Sequence, residues 1–127
     1  MQHSEEFLAV VNDAKKRVCE ISVDDTIERM ERGAQLIDVR EDHEWNDGHA
    51  SGAIHIGKGV IERDIVKTIT NKSAEIILYC GGGYRSALAA DMVQKMGYTN
   101  VLSMAGGWKA WKESAAPTDT DATFSQG

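Results

Sequence analysis

The spacing of apolar residues changes several times along the chain, and each change marks an expected element. Phe7, Val10, Val11, Ala14 and Val18 recur at helical spacing, which predicts an amphipathic helix from about residue 4 to 17. Lys15, Lys16 and Arg17 suit its C-terminal end, where helix carbonyls favour positive charge. Residues 18–21 form a short strand candidate. Ser22 has the chemistry of a helix N-cap, with Asp24 and Asp25 in the first turn and Val23, Ile27 and Met30 on one face. Gly33 is the expected stop.

Residues 36–39 are a second apolar run, broken by a polar stretch over 40–47. Residues 52–56 read as another strand. Ile61, Ile65 and Ile69 lie four apart and predict a helix over 60–69. The apolar run 76–79 predicts a buried strand, and a helix follows with Leu88, Met92 and Met96 in register, ending near Gly97. Val101 and Leu102 make a brief strand. Gly106 and Gly107 then lead into a short helix carrying Trp108 and Trp111, which read as core anchors. From Pro117 the composition turns polar, as in a frayed tail. Short strands alternating with helices imply a parallel sheet covered on both faces, with ligands beyond the carboxyl ends of its strands. No internal repeat is present.

Cys80 stands at such an end. After it come Gly81, Gly82, Gly83, Tyr84, Arg85 and Ser86, a loop opening onto a helix. Glycines let loop N–H groups turn toward one point, and a helix N-terminus adds unpaired N–H groups and the positive end of its dipole. A thiol there is expected to ionise readily, and the thiolate is the reactive form. The plain alternative is an inert core cysteine, which would have no use for three glycines. The lysine and hydroxyl residue of a phosphate-binding P-loop are missing.

The remaining composition narrows the function. With 127 residues, the chain has room for one domain. A formal charge of −6 argues against nucleic acid or an anionic membrane as partner. No apolar run is long enough for a membrane span, and the acidic start lacks a signal peptide's layout. Two cysteines, Cys19 and Cys80, need no disulfide framework, so a reducing cytoplasmic setting is expected. Cys19, in a strand candidate, is expected to be a plain buried residue rather than a resolving thiol. His43, His49 and His55 fall six apart, a spacing that matches no metal motif, and no metal or other cofactor is expected.

Three blocks in order resemble the rhodanese (sulfurtransferase) family. They are Leu36-Ile37-Asp38-Val39-Arg40-Glu41, continuing through Glu44 to Gly48-His49-Ala50-Ser51-Gly52-Ala53-Ile54; the Cys80 loop; and Ala105-Gly106-Gly107-Trp108 with Trp111. Members often carry a proline after the second strand of the first block, where this chain has Ile56-Gly57-Lys58-Gly59. The resemblance implies a small three-layer α/β domain, a parallel sheet of about five strands flanked by helices on both faces. That domain would occupy residues 21–115, after an N-terminal helix and lead-in (1–20) and before a flexible tail (116–127).

The resemblance also implies an activity: a Cys80 persulfide, loaded from a small sulfur donor such as thiosulfate, passes its sulfur to cyanide, a thiol or a protein acceptor. Cys80 and Arg85 are then the catalytic candidates, and Gly81, Gly82, Gly83, Tyr84 and Ser86 the substrate-binding ones. Asp38, Arg40, Glu44 and His49 are expected to brace the loop. Arg85 has two possible orientations, inward to the sulfur or outward to a carboxylate such as Asp38 or Glu44. Two alternatives differ in class. One is a rhodanese-like docking or sulfur-carrying module without turnover. The other is a phosphatase or arsenate reductase of the same fold, whose loop between cysteine and arginine is one residue longer. Oligomeric state is not legible in the sequence.

Overall fold

The computed structural model describes residues 3–120. In chain order the elements are α1 (Glu5–Lys15), β1 (Cys19–Ile21), α2 (Val23–Glu31), β2 (Gln35–Asp38), α3 (Asp42–Asp47), β3 (His49–Ala50) and β4 (Ile54–His55). There follow a 3-10 turn (Lys58–Val60), α4 (Ile61–Thr68), β5 (Ile76–Tyr79), α5 (Tyr84–Lys95), β6 (Val101–Met104), α6 (Gly107–Glu113) and β7 (Thr118–Asp119). Five strands form a parallel sheet in the order β1-β6-β5-β2-β4, so β5 is central.

Period-two alternation sends the residues of β5 to opposite faces. Ile76, Leu78 and Cys80 join a core with Ile61, Ile65, Ala90 and Val93 of α4 and α5. Ile77 and Tyr79 join Trp111, Met104 and Val23, with Ile27 and Met30 of α2 packed against them. The result is the expected three-layer α/β domain. Ser22 caps α2 as predicted, its hydroxyl accepting from the Asp25 N–H at 3.0 Å. No helix among the described residues is long and apolar enough to cross a membrane.

Several local expectations change. The polar stretch after β2 contains α3, a helix with no buried residue. It is held by a reciprocal cap between Glu41 and Glu44, which hydrophobic periodicity does not register. On α5 the sheet-facing residues are Ala89, Ala90 and Val93, while Met92 is 38% exposed. Small side chains let the helix approach the sheet closely and push the long ones, Leu88 and Met92, toward a groove beside α1. Trp111 is buried as expected, and its indole N–H donates to the Pro117 carbonyl at 2.8 Å. The same carbonyl accepts from the Ser51 N–H, and Thr118 and Asp119 pair antiparallel with Ala50 and His49. The tail expected to fray from Pro117 is therefore tied down through Asp119; residues 121–127 lie outside the described residues.

Cys19 is exposed, contrary to the expectation of a buried residue. It opens edge strand β1, which has a single sheet neighbour and so is covered less than the centre. Strand β6 separates β1 from β5, placing Cys19 about two strand spacings, ~10 Å, from the Cys80 strand. A disulfide needs Cα atoms closer than about 7 Å. Cys19 cannot resolve Cys80 in this arrangement.

Candidate functional site

Cys80 follows the last residue of β5, at the carboxyl end of the sheet. Its Sγ accepts the Gly83 N–H at 3.1 Å and the Ser86 N–H at 3.3 Å. The Ser86 hydroxyl lies 3.5 Å from the sulfur and is oriented by Ser103 of β6, oxygen to oxygen 2.9 Å. Two backbone N–H groups thus converge on one sulfur. Of the three loop glycines only Gly83 has left-handed backbone, at φ +107°. It permits the turn that brings its own N–H and the first N–H groups of α5 round to the thiol. Gly81 and Gly82 lie in the loop without such a φ, and no bond from their N–H groups to the sulfur occurs.

The carbonyl side of the loop is held by α6. Its Trp108 N–H donates to the Cys80 carbonyl at 2.7 Å, and its Lys109 N–H to the Gly81 carbonyl at 3.2 Å. Helix and loop approach so closely that a Cβ on Gly107 would stand 2.2 Å from the Cys80 oxygen. The Gly-Gly-Trp block thus explains itself: it lets a helix N-terminus dock on the loop backbone that carries the thiol.

Arg85 turns outward. Its guanidinium grips Glu44 of α3, Nη1 to Oε1 2.8 Å and Nη2 to Oε2 3.2 Å. Hydrogen bonding to Arg85 pushes the Glu44 carboxyl down to about 2, against the partial burial that opposes it. Because the folded value lies below the ordinary one, the pair contributes fully above pH 4.5 and is lost as pH falls toward 2. An NMR titration of the Glu44 side-chain carboxyl carbon is expected to show a midpoint near 2. A midpoint near the ordinary 4.5 would mean that the clamp does not form.

Asp38 and Arg40 make a second, buried pair that does not touch the sulfur. Arg40 donates to both Asp38 oxygens at 2.8–3.1 Å and to the Gly48 carbonyl at 2.7 Å. The guanidinium also lies over the rings of Tyr79 and Trp108, 5.7 and 4.9 Å from their centroids. Those residues precede Cys80 and bond its carbonyl, so Arg40 supports the loop through two rings. Burial and the Asp38 charge push the Tyr79 hydroxyl upward, keeping it neutral while it accepts the Ala50 N–H at 3.0 Å. Arg40→Met is expected to cost about 3–5 kcal/mol in urea denaturation, because it leaves a buried carboxylate unpaired. Asp38→Leu added to it should cost less than the two single changes summed. Additivity would show that the pair is not coupled.

His49 is buried in β3 and stacks on Trp45 at 3.4 Å between centroids, its Nδ1 2.9 Å from the Trp45 carbonyl. It belongs to the α3–β3 corner and does not line the thiol pocket. His55 also stacks with Trp45, at 4.9 Å between centroids. Among the described residues no group of three His, Cys, Asp or Glu could hold a metal ion.

Cys80 forms the floor of an open pocket of about 550 Å³. Glu44, Gly82, Tyr84 and Arg85 line it together with His43, His3 and Phe7. The sequence reading missed Phe7 and His3, which reach the site only because α1 packs back onto α5. It also missed Ser103, whose one signal was a lone polar residue inside a buried apolar strand.

The rhodanese-like domain model matches residues 22–114. The chain is 39% identical over 80 residues to the uncharacterized protein YqhL of Bacillus subtilis, covering 63% of this chain and 62% of that one. It is 31% identical over 101 residues to the thiosulfate sulfurtransferase GlpE of Haemophilus influenzae, covering 80% of this chain and 94% of GlpE. Against the putative sulfur carrier protein YrkF of B. subtilis the identity is 27% over 110 residues, covering 87% of this chain but 56% of YrkF. A solved structure from Rhodopseudomonas palustris, of unknown function and described as a possible tyrosine phosphatase, superposes with a TM-score of 0.81 at 26% identity. That match covers 94% of this chain and 98% of the other. With the cysteine loop, its helix brace and the three-layer sheet in place, the chain belongs to the rhodanese-like domain family.

Proposed function

We propose that the protein is a sulfurtransferase working through a persulfide on Cys80. The observation that carries this reading is the single sulfur held at a pocket floor by the Gly83 and Ser86 N–H groups. The Cys80 thiolate attacks the outer sulfur of a donor such as thiosulfate. A sulfur–sulfur bond forms to Sγ, the donor's own sulfur–sulfur bond breaks, and sulfite leaves with the electron pair. An acceptor nucleophile, cyanide or a thiol, then takes the outer sulfur and returns Cys80 as thiolate. The N–H donors stabilise charge on sulfur at both stages, as an oxyanion hole does for oxygen. Arg85 positions the loop against α3 in this reading. A reducing cytoplasmic setting fits a thiol that must stay free.

The phosphatase description attached to the R. palustris protein has less support here. Four residues separate Cys80 from Arg85, and the arginine that would hold a phosphate dianion is taken up by Glu44. Hydrolysis of p-nitrophenyl phosphate is expected to be absent. A carrier or docking role, as YrkF's name suggests for that protein, is the competing reading.

The test is thiosulfate-to-cyanide sulfur transfer with mass spectrometry of the intact chain. Thiocyanate formation with a gain of about 32 Da, one sulfur atom, is expected. Sulfur uptake without turnover would favour the carrier. Neither signal, with thiosulfate or polysulfide, would remove the transfer reading and leave docking.

A further inference from the structure

Resting on the persulfide reading of Cys80, we propose that the first turn of α1 selects the sulfur donor, favouring one whose leaving group carries an apolar ring over a small sulfur oxyanion. Three rings, of His3, Phe7 and Tyr84, line the thiol pocket. Phe7 and His3 lie 5.0 Å apart between ring centroids, and both meet the ring of Tyr84, at 6.2 and 4.8 Å and nearly edge-on. A donor ring that packs against this wall gains contacts contributing about 0.5–1.5 kcal/mol each beyond area burial.

The wall is fixed to the same helix that presents the thiol loop. Val11 and Ala14 of α1 are buried, and α1 packs along α5. Arg17 clamps Asp91 of α5 through Nε at 2.9 Å and Nη2 at 2.8 Å, while the Gln94 amide donates to the Arg17 carbonyl at 3.0 Å. Phe7 therefore keeps its position relative to Tyr84, four residues after Cys80. All of α1 lies before residue 22, where the family match begins.

Charge points the same way. Among the described residues lining the pocket, Arg85 is the one guanidinium or ammonium group, and Glu44 neutralises it at 2.8 Å. Glu5 and Glu6 add negative charge in the turn that carries Phe7. Lys15 Nζ lies over the Tyr84 ring at 5.1 Å but pairs with Glu20 at 3.5 Å. The wall therefore supplies little unpaired positive charge to favour a dianion such as thiosulfate over a singly charged donor. A singly charged donor with an apolar substituent finds a ring surface.

The reaction is the one proposed above with a different leaving group. Cys80 thiolate attacks the outer sulfur of a thiosulfonate, the bond between the two donor sulfurs breaks, and the sulfinate departs with the electron pair. Cyanide then takes the outer sulfur as thiocyanate. Benzenethiosulfonate and methanethiosulfonate carry the same charge and the same reacting sulfur and differ in the ring. The readout is their ratio of kcat/KM, with cyanide as acceptor, in the wild type, Phe7→Ala and Phe7→Leu. Intrinsic leaving-group differences cancel when the ratios are compared between proteins, and thermal melting establishes that each variant is folded. The benzene-to-methane ratio is expected to fall about tenfold in Phe7→Ala and about threefold in Phe7→Leu, the range of one lost ring contact. A ratio within about twofold of wild type in a folded variant (the scale of a contact too weak to select) would overturn the wall while leaving the Cys80 chemistry standing. No turnover and no sulfur adduct with either donor would overturn both.

Discussion

A Cys80→Ser protein is expected to fold normally and to form neither a persulfide nor thiocyanate. Serine keeps the site's hydrogen bonds, since its hydroxyl accepts from the Gly83 and Ser86 N–H groups that now reach the sulfur at 3.1 and 3.3 Å. The position is buried but faces Ser86 as well as apolar neighbours. Melting temperature should therefore change little. Chemistry should vanish, because a hydroxyl is almost entirely protonated near neutrality and lacks the nucleophilicity of a thiolate toward sulfur. A loss of at least about 10³-fold is expected, the scale seen when an activated nucleophile is removed. Transfer persisting in Cys80→Ser would place the reacting thiol elsewhere, and exposed Cys19 would be the first to examine. Partner binding retained by the same variant would fit a docking module equally well, so the decisive readout is turnover.

The second large effect is expected from Gly107→Ala. The residue sits at φ +52°, and its Cβ would stand 2.2 Å from the Cys80 carbonyl oxygen and 2.9 Å from the Gly81 carbonyl carbon. Left-handed backbone alone costs a non-glycine residue about 1–2 kcal/mol. The clash cannot be relieved by a side-chain rotation, because both contacted atoms are backbone. Either α6 withdraws, losing the Trp108 and Lys109 N–H bonds to the loop, or the loop moves and carries Cys80 with it. We expect a loss of roughly 3 kcal/mol or more in denaturant unfolding. A fall in kcat/KM of at least about tenfold should accompany it, since a misplacement of about 1 Å at a reacting group can cost about a hundredfold. Gly59→Ala is the matched control. Its Cβ would meet nothing within 4 Å, and its stability should stay within about 0.5 kcal/mol of wild type. Equal behaviour of the two variants would contradict the role given to the α6 brace.

These two residues differ in how they could be read from the chain. Cys80 is marked locally as a candidate nucleophile: an apolar strand, a thiol, glycines and a helix start are consecutive. The importance of Gly107 depends on a carbonyl 27 positions earlier, and the block Ala105-Gly106-Gly107-Trp108 was legible only as part of a family resemblance. Glu44 falls between the cases. Its place near the loop was foreseen, but whether Arg85 would turn toward it or toward the thiol followed from where α3 sits. That helix was missed because it buries nothing and is stabilised by its own capping pair. Similarly, Leu88, Met92 and Met96 made a plausible apolar stripe. Alanines took the sheet-facing side, because closeness of approach, which periodicity does not measure, decides which face packs.

Alternating apolar runs, the Ser22 cap and the thiol ahead of a glycine turn were enough to indicate the layered α/β class, the buried strand that leads to Cys80 and a candidate nucleophile. Each depends on residues within one turn or one strand, where local propensity and solvent exclusion act on neighbours. Tertiary structure alone decided the rest. The helix that braces the loop from behind, the buried Arg40 between two rings and the Phe7 wall all join residues far apart in sequence. Their positions depend on how sheet and helices pack, which sums many weak contacts across the whole core and is written in no single segment.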